Sequence, residues 1–144
     1  MSFPTLSKNV WLLSIAHIFS FAGASVTFFL GGIIGAQLAP SLSWATMPVA
    51  AMVVGTALGT VPAAIVMSKK GRRFGFIGAS IVASGSALVG AFALWHSHFW
   101  LYGLSCLTLG MSYAFVQHYR FAAAESVPIE LAPKAISAIL LSGV

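Results

Sequence analysis

The chain has 144 residues, 59% of them hydrophobic and 6% charged, with seven Lys and Arg against two acids. A water-soluble domain carries roughly 25% charged residues to cover its surface. This composition, with a mean hydropathy of +0.98, therefore excludes an ordinary soluble globule and leaves a chain whose exterior faces hydrocarbon. The formal net charge of +5 does not point to nucleic acid, because four of the seven cations, Lys69, Lys70, Arg72 and Arg73, sit together between two apolar runs. A nucleic-acid binder spreads its cations over a face that neutralises several phosphates.

About 20 helical residues cross 30 Å of hydrocarbon. The first such run covers about 10–36 without a charged residue, and its length exceeds the roughly 7–15 residues of a signal-peptide core. His17 lies about two turns into it, with Ser14, Phe21 and Ser25 on nearly the same face. An imidazole there can take up and release a proton near neutral pH, or it can hydrogen-bond a neighbouring helix as buried polar groups commonly do. Gly31 and Gly35 repeat at four residues in the same run, and Pro40 with Ser41 and Ser43 forms the following turn.

The second run, about 44–67, carries Ala51, Gly55, Gly59 and Ala63 at intervals of four. Such a stripe lets helix backbones approach closely; it serves packing, or a sliding surface during gating. Residues 68–73 (Ser68, Lys69, Lys70, Gly71, Arg72 and Arg73) then read as a basic cytoplasmic loop. A third run follows over about 74–95, and His96-Ser97-His98 makes the next turn.

The fourth run covers about 99–123. Within it Cys106, Gly110, Tyr113, Gln117 and Arg120 alternate steps of four and three, so a continuous helix places them on one face. A phenol, an amide and a guanidinium in line suit an aqueous cavity that binds an anionic or hydrogen-bonding solute. For Arg120, close to the helix end, snorkelling to the headgroups is the competing reading. A polar linker over 125–133 leads to a fifth apolar helix over 134–144, about half a span long. The runs are too long, and alternate too little, for the short segments of a membrane barrel. In lipid, uninterrupted runs of this length satisfy their backbones as helices.

With four crossings, Lys8, the 69–73 cluster and Lys134 fall on one side, and the turns near Pro40 and His96 carry no Lys or Arg. The positive-inside rule assigns the N-terminus and the basic loop to the cytoplasm. Trp44, Trp95 and Trp100 then mark the outer ends, and Trp11 and Tyr119 the inner ones.

No catalytic constellation emerges, and no cofactor is expected. Glu125 and Glu130 share one linker, and Cys106 is the only cysteine, so a disulfide framework is impossible within one chain. The four histidines show no metal-ligand pattern. Gly31, Gly32 and Gly35 lie mid-span and lack the Lys-Ser/Thr that a phosphate loop requires.

The stretch Ala64-Ile-Val-Met-Ser68-Lys69-Lys70-Gly71-Arg72-Arg73 resembles the signature Gly-x-x-x-Asp-Arg/Lys-x-Gly-Arg/Lys-Arg/Lys that follows the second span of the major facilitator superfamily of secondary transporters. Ala64 stands for the glycine and Ser68 for the acid. In the family that acid and the arginines help latch the two halves on the cytoplasmic side, and a serine lacks the charge. The stretch from Phe121 through Glu125, Pro128, Glu130 and Pro133 to Lys134-Ala135-Ile136-Ser137 is similar to the family's link between spans four and five. Some drug-exporting members carry Arg-x-x-x-Gly in span four with the Arg implicated in proton transfer; aligned on Gly110, Cys106 occupies the Arg position, so that mechanism is not implied. The run Gln117 to Ala124 resembles one found in bacterial members.

The resemblance implies an all-α membrane fold of about twelve spans, built from inverted three-helix repeats. This chain, 1–144, is expected to supply four transmembrane helices plus the start of a fifth from the N-terminal six-helix half, either as a fragment of a longer transporter or with partner chains providing the remainder. The implied function is transport of a small solute across a bacterial inner membrane, coupled to protons, by alternating access. His17, Tyr113, Gln117 and Arg120 are the candidate lining residues, and 68–73 the gating loop. The alternative is a complete small oligomeric membrane protein or assembly subunit without transport of its own.

Overall fold

Long apolar runs in lipid become helices because only the helix satisfies every backbone donor and acceptor within one segment. The computed structural model describes residues 8–141, and these form helices without strands. α1 covers Lys8–Leu38, α2 Met47–Lys70, α3 Arg72–Trp95, α4 Phe99–Val116, α5 Tyr119–Glu125 and α6 Ala132–Leu141. Among the described residues four segments are long and apolar enough to cross a membrane: Val10–Leu38, Leu42–Lys70, Arg72–Trp95 and Phe99–Glu125. Phe19, Phe29, Leu88 and Trp95 among others project outward, as side chains in contact with acyl chains do. The Lys8 side chain and residues 142–144, the end of the expected fifth helix, lie outside the described residues.

The chain divides into two compact units, residues 24–115 and residues 8–23 with 116–141. In the first, glycines mark where helices cross. A Cβ at Gly55 would overlap the Leu107 carbonyl of α4, and one at Gly59 would stand 2.6 Å from the Met111 carbonyl oxygen. From the other side, a Cβ at Gly110 would overlap the Met52 carbonyl of α2. Gly35 meets the Ala45 carbonyl in the same manner, and Gly31 meets Val49. The stripe expected on α2 is thus buried at Gly55, Gly59 and Ala63, and it serves close packing. Without a hydrophobic driving force between helices in lipid, dispersion across such close contacts holds them together.

α4 buries side chains around most of its circumference, including Tyr102, Ser105, Cys106 and Ala114. Ala24, Met52, Ala93, Tyr102 and Cys106 form the core cluster. On the α3 side the Ser86 hydroxyl reaches Thr108 Oγ1 at 2.8 Å. Other hydroxyls donate to their own helices, among them Thr56 to Met52 O at 2.9 Å, Thr60 to Thr56 O at 2.9 Å, and Ser84 to Ser80 O at 2.9 Å. Back-bonding of this kind removes the cost of a bare hydroxyl in hydrocarbon.

The α3–α4 turn is closed by a six-to-one bond from His98 N to Ala93 O at 2.8 Å and a bond from Ser97 N to Leu94 O at 3.1 Å. This pairing ends a helix when the residue after the cap is left-handed, and Ser97 has φ 51°. Trp44, from the α1–α2 connection, meets Trp100 edge-on at 5.4 Å.

In the second unit α5 packs on α6 with Ala122, Ala123, Ala135 and Ile139 buried. The linker between them contains one tight turn, Ile129–Leu131, closed by Leu131 N to Pro128 O at 2.9 Å.

Two expectations need correction. The fourth span is not one helix: α4 stops at Val116, and α5 restarts at Tyr119 with Phe121 N bonded to His118 O at 3.1 Å. Neither proline nor glycine causes this interruption. Phe115, Val116, His118 and Tyr119 are aromatic or β-branched and individually poor helix formers, so the run is locally weak. The 68–73 segment is likewise not a loop. Ser68, Lys69 and Lys70 close α2, Arg72 and Arg73 open α3, and Gly71 alone stands between them. Its φ of 84° and ψ of 157° are accessible essentially to glycine only.

Candidate functional site

α1 turns one face, Val10, Ser14 and His17, inward at steps of four and three, with Val10 and Ser14 buried and His17 half-buried. The His17 ring lies 6.3 Å from Phe21, one helical turn on, with the planes 28° apart. Tyr119 of α5 also meets the His17 ring edge-on, ring centres 6.2 Å apart and planes at 68°. Ser20 hydrogen-bonds the Tyr119 phenol. The result is an imidazole in contact with two aromatic rings, at separations that favour ring-on-ring attraction. Phe21 keeps an exposed face, and Tyr119 is buried.

Gln117 and Arg120 belong to the same unit as His17, and both are exposed. The Arg120 guanidinium lies 4.9 Å from the centre of the adjacent Phe121 ring. Tyr113 belongs to the other unit, where it is half-buried and packs on the core cluster that holds Cys106 and Tyr102. The stripe from Cys106 to Arg120 is therefore divided between the two units, with a turn at Gln117 and His118 between α4 and α5.

Tyr119 and Phe21 are the partners that sequence reasoning did not assign to His17's surroundings as a group. Phe21 was on the expected face. Tyr119 is distant in sequence, and nothing in its local pattern signals that α5 would bring it there.

At the basic turn, the Ser68 hydroxyl donates to Ile65 O at 3.0 Å, within its own helix. The Lys70 ammonium lies 5.0 Å from the Phe74 ring centre, a cation held over an aromatic face. Lys69, Lys70 and Arg73 are exposed. Among the described residues no group of three or more His, Cys, Asp or Glu side chains could hold a metal ion.

The sequence is 31% identical over 136 residues to the riboflavin transporter RfnT of Brucella anthropi. The alignment takes in 94% of this chain and 34% of that protein, so the chain spans about a third of the length of the relative it matches. No family model matches the sequence, and no solved structure does.

Proposed function

We propose that the chain forms the opening spans of a major-facilitator-type secondary transporter that moves a small, flat heteroaromatic solute of the riboflavin class. The identity to a riboflavin transporter along nearly the whole chain is the observation that carries this reading. The signature-like run at 68–73 and the link over 121–137 support the family. The basic residues support a reading in which the N-terminus and the α2–α3 turn face the cytoplasm across a bacterial inner membrane. The remaining spans of such a transporter come from further sequence or partner chains.

The residues around His17 fit that solute class. An isoalloxazine ring stacks on aromatic faces, each contact worth about 0.5–1.5 kcal/mol beyond area burial. Phe21 offers an exposed ring beside the imidazole. The amide of Gln117 and the guanidinium of Arg120, in the same unit as His17, supply donors for carbonyl and hydroxyl groups. His17 is the group suited to exchanging a proton as the transporter alternates, since an imidazole's ordinary range brackets neutral pH.

The test uses riboflavin itself. Binding to the detergent-solubilised protein is expected to quench riboflavin fluorescence, because stacking on aromatic rings quenches the flavin. Riboflavin-requiring cells that express the protein are expected to take up labelled riboflavin in a saturable manner that a protonophore abolishes. His17→Leu should reduce binding or uptake by at least about tenfold, the loss of one well-placed polar and stacking contact. Protein present in the membrane at normal level that neither binds nor carries riboflavin would overturn the assignment. For orientation, a Ser68→Cys variant in a Cys106→Ser background should react with an impermeant thiol reagent only in opened cells.

A further inference from the structure

We propose that the α2–α3 turn is a docking site for anionic phospholipid headgroups, engaged by Lys69, Lys70 and Arg73. A single residue, Gly71, separates the two helices, so the cations lie within two residues of it on either side. At 1.5 Å of rise per residue this confines them to about 3 Å of helix axis. They share one depth, at the common end of two membrane-spanning segments, which is where lipid phosphates lie.

Charge balance asks for an external anion. Residues 24–115, the unit that holds the turn, contain these cations and no Asp or Glu. In the whole chain two acids face seven Lys and Arg, so even complete pairing of Glu125 and Glu130 leaves the net charge of +5 uncompensated. Ser68 adds no counter-charge, and its hydroxyl is already engaged with Ile65 O. Arg72 and Arg73 also occupy the first turn of α3, the positive end of the helix dipole, where acids are normally favoured; the sequence places none there.

A phospholipid fits better than a free anion or an acidic polypeptide. Directly beneath the cations lie exposed apolar side chains, Ile65 on α2 and Phe74 and Ile77 on α3. The Lys70 ammonium lies 5.0 Å from the Phe74 ring centre, so cation and aromatic stand together at the end of the spans, where headgroups meet acyl chains. Charge above and hydrocarbon below is the chemistry of an anionic amphiphile.

The test measures lipid retained by the purified protein, using native mass spectrometry after equilibration in mixed micelles of phosphatidylglycerol and phosphatidylcholine. Each cation near an anionic surface is worth about 1 kcal/mol, roughly fivefold in occupancy. Wild type should retain phosphatidylglycerol over phosphatidylcholine by at least about tenfold. The K69Q/K70Q/R73Q variant should lose that preference, and K69R/K70R should keep it. The single variants K69Q and R73Q, each expected to lose up to about fivefold, keep the result readable if the triple variant does not fold. Millimolar inorganic phosphate or an acidic peptide should leave the lipid in place. Equal retention of the two lipids, a preference untouched by the glutamine variants, or displacement by phosphate or peptide would each overturn the proposal.

Discussion

Replacing Gly110 with alanine tests the close approach of α2 and α4. The added methyl would overlap the Met52 carbonyl, and the next nearest atoms are also Met52 backbone, its Cα at 3.1 Å. No flexible side chain can rotate away, so α2 and α4 must separate by about 1 Å to restore ordinary contact, in an interior where sub-ångström gaps already forfeit dispersion. Overpacking of this kind costs about 1–3 kcal/mol, and Gly55→Ala, against the Leu107 backbone, should cost the same. Gly78 and Gly85 of α3 supply the control, since a Cβ at either meets nothing within 4 Å. There alanine removes the entropic penalty of a helical glycine and should stabilise by about 0.5–1 kcal/mol. For a chain of this size 1 kcal/mol moves the midpoint by about 3 °C. Thermal unfolding in detergent, followed by circular dichroism, should therefore place Gly110→Ala and Gly55→Ala roughly 3–9 °C below wild type, with the α3 variants at or above it. If all four variants unfold together, or Gly110→Ala is the most stable, the close approach of α2 and α4 is wrong.

Backbone conformation separates two turns in opposite directions. Gly71→Ala forces a side chain into glycine-only backbone space and should lower stability by about 1–3 kcal/mol; Ser97→Gly relieves a left-handed serine and should raise it by up to about 1 kcal/mol, both read from the same melts. A double-mutant cycle on Ser86→Ala and Thr108→Val should return a coupling of about 0.6 kcal/mol, the usual worth of an interhelical hydrogen bond in membrane proteins. A coupling of zero would mean that the 2.8 Å contact contributes nothing beyond the bonds within each helix, Ser86 to Val82 O and Thr108 to Leu104 O and Ser105 O.

Composition and local pattern determined that the described residues are helical, with four segments long and apolar enough to cross a membrane. The reason is local: a span in lipid must pair its own backbone groups within about 20 residues, so the information sits in contiguous sequence. The glycine and alanine stripe on α2 was legible for the same reason, because a four-residue repeat defines a face without reference to any partner. Which helix that face would meet was not legible. Gly110 answers Met52, and Gly55 answers Leu107, through contacts between segments some fifty residues apart, and only the folded arrangement selects them. The interruption at Gln117 and His118 also belongs to tertiary structure, since a weak run of aromatic and β-branched residues is helical or broken according to what surrounds it. The expected stripe from Cys106 to Arg120 is divided at that turn between α4 and α5, and in its own unit α5 brings Tyr119 to His17. Spacing along a chain can place residues on one helix, but the meeting of an imidazole and a phenol from two helices depends on how the helices pack.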